Sequence, residues 1–115
     1  MLKKYGFTKK ERLLKRAEFD RVFKNGRIVR DTVLKTHWMP NGLEYSRLGI
    51  VISRAVKTAV ARNRLKRLCR EAFRLNKHVL PKGLDIIIIP KIQNATLDVV
   101  SKSLLSHNER MKNAK

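Results

Sequence analysis

Apolar residues recur along the chain with two periods, and the switches between them mark the elements. From Arg16 to Asn25, Phe19, Val22 and Phe23 repeat at helical spacing and Gly26 supplies a stop, which predicts a short helix. Residues 28–39 are rich in strand formers, with Leu34, Thr36 and Trp38 alternating against Val33, Lys35, His37 and Met39. This first extended segment has room to split in two. Pro40-Asn41-Gly42 signals a turn, and a second strand follows over residues 46–53, where Leu48, Ile50 and Ile52 oppose Gly49, Val51 and Ser53. The two strands are expected to pair as an antiparallel hairpin.

Helical periodicity returns after Thr58, the expected cap. Ala61, Leu65, Leu68, Cys69, Ala72 and Phe73 fall in one arc at about 100° per residue. Pro81-Lys82-Gly83 ends the helix region, and the run Asp85-Ile86-Ile87-Ile88-Ile89-Pro90 reads as a strand buried on both faces. Asn94 or Thr96 is positioned to cap a last helix carrying Leu97, Val100, Leu104 and Met111. Residues 1–15 read as a basic, flexible arm with at most a short turn, and residues 108–115 as a polar tail. The expected order is therefore α-β-β-(β)-α-β-α: a single α+β domain built as a small two-layer α/β sandwich.

Charge changes the picture. Lys and Arg number 28 against 9 Asp and Glu, a formal net charge of +19. A body so cationic repels itself and attracts polyanions, nucleic acid before an anionic membrane. No apolar run approaches the roughly 20 residues of a spanning helix, and the start of the chain lacks the apolar centre of a signal peptide, so the expectation is a cytoplasmic protein with no membrane partner.

The cations concentrate on the central helix. Residues 54–77 contain nine basic residues and one acid, Glu71. Asn63, Lys66, Arg67, Arg70, Arg74 and Lys77 fill the arc beside the apolar one, with Arg62 at the border and Arg64 and Glu71 on the far side. Like charges at i,i+4, such as Lys66/Arg70 and Arg70/Arg74, disfavour an isolated helix, and cations near its N-terminus oppose the dipole. A bound polyanion that collects these charges explains the arrangement better than a merely solvated face. For Arg64 and Glu71, a surface ion pair is an equal alternative to a role on the polyanion.

Catalytic chemistry is sparse. His37, His78 and His107 are far apart in sequence and fit no metal-ligand spacing, and each is expected at the surface or an edge. No phosphate-binding glycine loop is present, and the lone Cys69 reads as a buried hydrophobe. Phe19 and Phe23 stand at i,i+4, and packing on the core is an equal alternative to a functional role. Trp38 and Tyr45 are expected in core or rim positions, with stacking on a nucleic acid as the alternative.

The run Arg62-Asn63-Arg64-Leu65-Lys66-Arg67-Leu68-Cys69-Arg70-Glu71-Ala72-Phe73 resembles the RNR signature of the bacterial ribonuclease P protein subunit. The resemblance extends to RAEFDRVFKNG, RLGIVISR and DIIIIP, and so covers most of the chain. It implies a ribonucleoprotein that removes the 5′ leader of precursor tRNA, with Mg²⁺-dependent hydrolysis carried out by the RNA subunit. It also implies a left-handed βαβ crossover, where the default is right-handed. By position it implies that Arg62, Asn63, Arg64, Lys66, Arg67, Arg70 and Arg74 meet the catalytic RNA. Phe19, Phe23, His37, Val51, Ser53 and Arg54 would form the leader cleft. The implied partners are the catalytic RNA and precursor tRNA, without an obligatory protein partner; no catalytic residue, metal site or cofactor is expected on the protein itself. Lys57, where the family commonly has glycine, and His37, where it often has an aromatic such as tyrosine, depart from the pattern. The rival reading is a non-catalytic structural RNA binder, such as a small ribosomal protein; a DNA-binding module ranks third, since no helix-turn-helix spacing or dimer signal appears.

Overall fold

The computed structural model describes residues 8–113. A 3₁₀ turn at Lys9–Glu11 precedes α1 (Arg16–Asn25), β1 (Arg27–Arg30), β2 (Leu34–Pro40), β3 (Arg47–Ile50), α2 (Ala59–Asn76), β4 (Leu84–Pro90) and α3 (Leu97–Asn113). The first extended segment does split. Asp31 Oδ1 accepts from the N–H groups of Val33 and Leu34 at 2.8 and 2.9 Å, folding the chain so that β1 and β2 pair antiparallel.

The sheet order is β1-β2-β4-β3, which corrects the expected β2–β3 hairpin. β4 inserts between those strands, antiparallel to β2 and parallel to β3, and α2 is the crossover linking the parallel pair. The cause lies in β4's composition. Ile86 and Ile88 face one side and Ile87 the other, all fully buried, so the strand needs cover on both faces and a neighbour on each edge. Each buried isoleucine stabilises the fold by about 1.5–3 kcal/mol.

The larger core joins Leu34, Trp38, Ile86 and Ile88 of the sheet to Leu65, Cys69 and Phe73 of α2 and Val100, Leu104 and Met111 of α3. On the opposite face α1 gives partial cover through a smaller cluster of Leu13, Val22 and Ile87, with Phe19, Met39, Val51 and Ile89 at its edges.

The described residues near each end, 8–14 and 108–113, are more ordered than expected. Thr8 and Glu11 cap the 3₁₀ turn, Glu11 Oε1 accepting from the Thr8 N–H at 2.8 Å while its other oxygen takes Lys77 Nζ at 2.7 Å. Leu13 is buried, and its N–H donates to the Leu48 carbonyl at 2.9 Å. Residues 8–14 are therefore docked rather than a loose arm; residues 1–7 lie outside the described residues. At the other end, residues 108–113 continue α3 and bury Asn108 and Met111 instead of forming a polar tail, residues 114–115 lying outside the described part.

His37 and His107 are buried, contrary to the surface placement expected for all three histidines, whereas His78 is exposed. His107 pins α3 to the β1–β2 turn. Its Nε2–H donates to Asp31 Oδ2 at 3.2 Å, the Ser103 hydroxyl donates to the same oxygen at 2.7 Å, and Thr36 Oγ1 donates to Nδ1 at 2.8 Å. Those roles are the ones the neutral Nε2–H tautomer plays at these distances. Burial lowers the His107 pKa below 6.5, outweighing the opposing pull of Asp31.

Two measurements test this packing. A Cβ on Gly26 would stand 2.5 Å from the Val22 carbonyl and 2.8 Å from that of Trp38, so Gly26→Ala is expected to cost about 1–3 kcal/mol in urea denaturation. An unchanged midpoint would place α1 wrongly. For pH, the folded-state pKa values of His37 and His107 lie below 6.5, so the unfolded chain binds more protons as pH falls through that value. Stability is fully present above 6.5 and declines as pH drops toward the lowered values. Asp31 and Glu11, held below their ordinary pKa values of 3.8 and 4.5, lose their contributions further down. Urea midpoints that stay flat from neutrality into the acid range contradict this account.

Candidate nucleic-acid interface

The Thr58 side chain starts α2, accepting from the Ala61 N–H at 3.1 Å. The apolar arc then fixes the rotation of the helix: Leu65, Cys69, Ala72 and Phe73 are buried, with Ala61 and Leu68 partly so. Burial pushes the Cys69 thiol up to about 12, against the weaker opposing influence of Arg70, and leaves it unreactive at neutral pH.

The predicted RNA-facing residues divide by what their side chains do. Arg62 turns back and donates to the carbonyls of Ser53 and Val56, both at 3.0 Å, so a cation near the helix N-terminus is used to hold the turn that leads into the helix. Arg64 donates to the carbonyls of Gln93 and Ala95 at 3.1 and 2.7 Å, fastening the loop before α3. The alternative Arg64–Glu71 pair does not form; Glu71 instead binds Arg74 at 2.6 Å. Lys77 is taken by Glu11.

Asn63, Arg67 and Arg70 are exposed and Lys66 half-buried, and none of the four has a hydrogen bond or ion pair among the described residues. Lys66 and Arg70 reach the rim of a recess of about 170 Å³ shared with Arg12, Leu14, Phe19 and Gly49. Arg67 borders a more open hollow with Arg64, Leu68 and Glu71. The cationic arc therefore serves two sides of the helix.

Phe19 joins this arc to the sheet. Its ring lies so close to Gly49 that a Cβ there would stand 2.6 Å from one ring carbon. Four residues on, Phe23 is 40% exposed and meets the His37 ring edge-on, centroids 4.8 Å apart at 83°. His37 Nδ1 is buried without a hydrogen-bond partner among the described residues, an arrangement that costs about 1–3 kcal/mol when no ligand satisfies it. Burial, with help from Lys35, lowers the His37 pKa and favours the neutral ring. Val51 extends the ladder, its N–H donating to the Ile88 carbonyl at 3.1 Å. Ser53 and Arg54 lie exposed in the turn that Arg62 holds, the Ser53 Oγ accepting from the Ala55 N–H at 3.1 Å.

The structure thus brings Phe19 together with Lys66 and Arg70, and Phe23 with His37. It withdraws Arg62 and Arg64 into support of the backbone and couples Arg74 to an acid. Sequence reasoning missed the contribution of Arg12 and Leu14 to the recess, because it treated their segment as loose. Thr8 and Glu11, spaced as in a capping box, were the available signal of order there.

A small α+β scaffold that displays cations without counter-charges beside the half-buried Phe19 ring and the exposed Phe23 ring has the features of the polyanion-binding class. Comparison with known proteins sharpens that class. A family model described as Ribonuclease P matches residues 7–112. The ribonuclease P protein component of Thermotoga maritima is 48% identical over 85 residues, 74% of this chain and 73% of the relative. That of Caldanaerobacter subterraneus is 37% identical over 95 residues, 81% and 82% of the two chains. Among solved structures, the RNase P protein of T. maritima superposes with a TM-score of 0.79 at 40% identity, covering 87% of this chain and 96% of that one. The Staphylococcus aureus protein gives 0.76 at 30% identity, covering 89% and 94%. The chain belongs to the bacterial ribonuclease P protein family.

The contact between Phe19 and Gly49 generates a direct test. Gly49→Ala must displace the ring, shifting the Phe19 aromatic resonances and costing about 1–3 kcal/mol of stability. Unmoved resonances in a folded variant would mean the ring does not rest on this strand.

Proposed function

We propose that this chain is the protein subunit of a ribonuclease P ribonucleoprotein, binding its catalytic RNA and the 5′ leader of precursor tRNA. The observation that carries the reading is the row of unneutralised Lys66, Arg67 and Arg70 side chains alongside the Phe19 recess. Guanidiniums present forked donors that match phosphate oxygens, and Lys66 adds a compact charge. Arg67 and Arg70, with Asn63, are assigned to the folded RNA, and Arg74 extends their row. Arg62 and Arg64 act by holding the helix and its neighbouring loops in place.

The leader lies across the cleft of Phe19, Phe23, His37 and Val51, with Ser53 and Arg54 at the strand end. Phe23 offers its exposed ring to an unpaired base, and the open His37 Nδ1 is available to a polar base edge. Single-strand recognition gives the protein a means of preferring precursor over mature tRNA, since only the precursor has a leader.

Hydrolysis belongs to the RNA in this reading, as does the Mg²⁺ that supports it. Among the described residues no three His, Cys, Asp or Glu side chains gather in a metal-binding group. The chain's own work is to lower electrostatic repulsion between RNA segments and to hold the leader in register.

Reconstitution with a ribonuclease P RNA tests the proposal. Leader removal at limiting Mg²⁺ is expected to require both components, and protein alone, free of RNA, is expected to cleave nothing. Neutralising Arg67 or Arg70 should reduce the salt dependence of catalytic-RNA binding by about one unit per lost phosphate contact. Phe23→Ala should narrow the preference for precursor over mature tRNA by roughly 1–3 kcal/mol. Affinity indifferent to the leader would instead favour a purely structural RNA binder.

A further inference from the structure

We infer that the docked N-terminal segment carries a second anion-binding basin, which takes the backbone of single-stranded RNA and stacks a base on Tyr45. Lys9 and Lys10 in the 3₁₀ turn, Lys15 at the start of α1 and Tyr45 before β3 border an open basin of about 470 Å³. Lys10 Nζ lies 4.9 Å from the centre of the Tyr45 ring, a cation and an aromatic face held together.

The basin is cationic in fact as well as in composition. Its one carboxylate, Glu18, is already occupied: Oε1 accepts from the N–H groups of Leu14 and Lys15, both at 3.1 Å, and Oε2 takes Arg47 at 2.9 Å. Lys9, Lys10 and Lys15 have no ion-pair partner among the described residues. They also stand on a fixed base, because Glu11 bonds Lys77 and Leu13 is buried. Lysines on a docked element lose less freedom on binding phosphate than lysines on a loose arm.

Position identifies the occupant. The basin and the Phe19 recess share Arg12 and Leu14 as walls, so one surface runs from Phe19 to Tyr45. Cations tracking a backbone, interrupted by aromatic faces, suit unpaired RNA, since a duplex keeps its bases stacked internally. The inference rests on the proposed leader cleft at Phe19 and extends it beyond that cleft, giving longer single strands additional affinity.

The test measures binding of unstructured oligouridylates of about 4 and about 12 nucleotides, lengths that bracket single-strand site sizes. The longer strand should bind the unaltered protein more tightly. The triple variant Lys9→Gln/Lys10→Gln/Lys15→Gln should lower that affinity and flatten its salt slope by about 2 units, from three contacts at about 0.7 each. It should leave the shorter strand and the thermal midpoint unchanged. Tyr45→Leu should weaken the longer strand about tenfold and Tyr45→Phe should not, because only the ring is needed. An unaltered affinity and slope in the triple variant overturn the basin, as does a loss confined to folded catalytic RNA. If the unaltered protein binds the short strand and the longer one gains nothing, the basin alone fails. If it binds neither strand, the Phe19 cleft fails with it.

Discussion

A single buried carboxylate organises this molecule. Asp85 sits on the central strand with no solvent exposure and accepts four hydrogen bonds: two from Arg47 at 2.8 and 2.7 Å, one from Arg21 at 2.9 Å and one from Asn41 at 3.0 Å. Burial works to raise its pKa, yet the bonds from Arg47, Asn41 and Arg21, with the charge of Arg47, outweigh that and keep it ionised. A buried charge loses about 3–5 kcal/mol when one partner is removed, so the four donors act as a set. They come from β3, α1 and the loop after β2, and bonding to one carboxylate fixes all three against β4.

Consequences reach the interface through Arg47. Beyond Asp85 it binds Glu18 at 2.9 Å, and Glu18 in turn caps the first turn of α1. The Asp85 bonds raise the Arg47 pKa, so this guanidinium stays charged throughout. Helix α1 is thereby held at an angle that lays Phe19 over Gly49 and Phe23 beside His37. The rings of Phe19 and Phe23 are thus positioned by ion pairs between α1, β3 and β4.

The distribution of charge follows the same division. Glu11, Glu18, Glu71 and Asp85 each engage a cation, and Asp31 fastens α3. Arg62 and Arg64 are spent on backbone carbonyls. Lys66, Arg67, Arg70, Lys9, Lys10 and Lys15 are left without an ion-pair partner among the described residues, and in the proposed reading an external polyanion compensates them in a salt-sensitive way.

Local spacing in the sequence already determined much of this: the limits of α1, the Thr58 cap, the inward arc of α2, the alternation of β2 and the apolar β4. These depend on side chains within a few residues of each other, where helical and strand periods leave a direct trace. The excess of cations pointed to a polyanion, and the resemblance carried by the RNR run implied that it is RNA. Only the tertiary structure decided which strand lies beside β4, that residues 8–14 dock, that His37 and His107 are buried, and which arginines face outward. Asp85 meets Arg47 across 38 residues and Glu11 meets Lys77 across 66. A periodic pattern marks a charged side chain as exposed to something, but whether that is a backbone carbonyl, a distant carboxylate or a ligand depends on what folding brings alongside it.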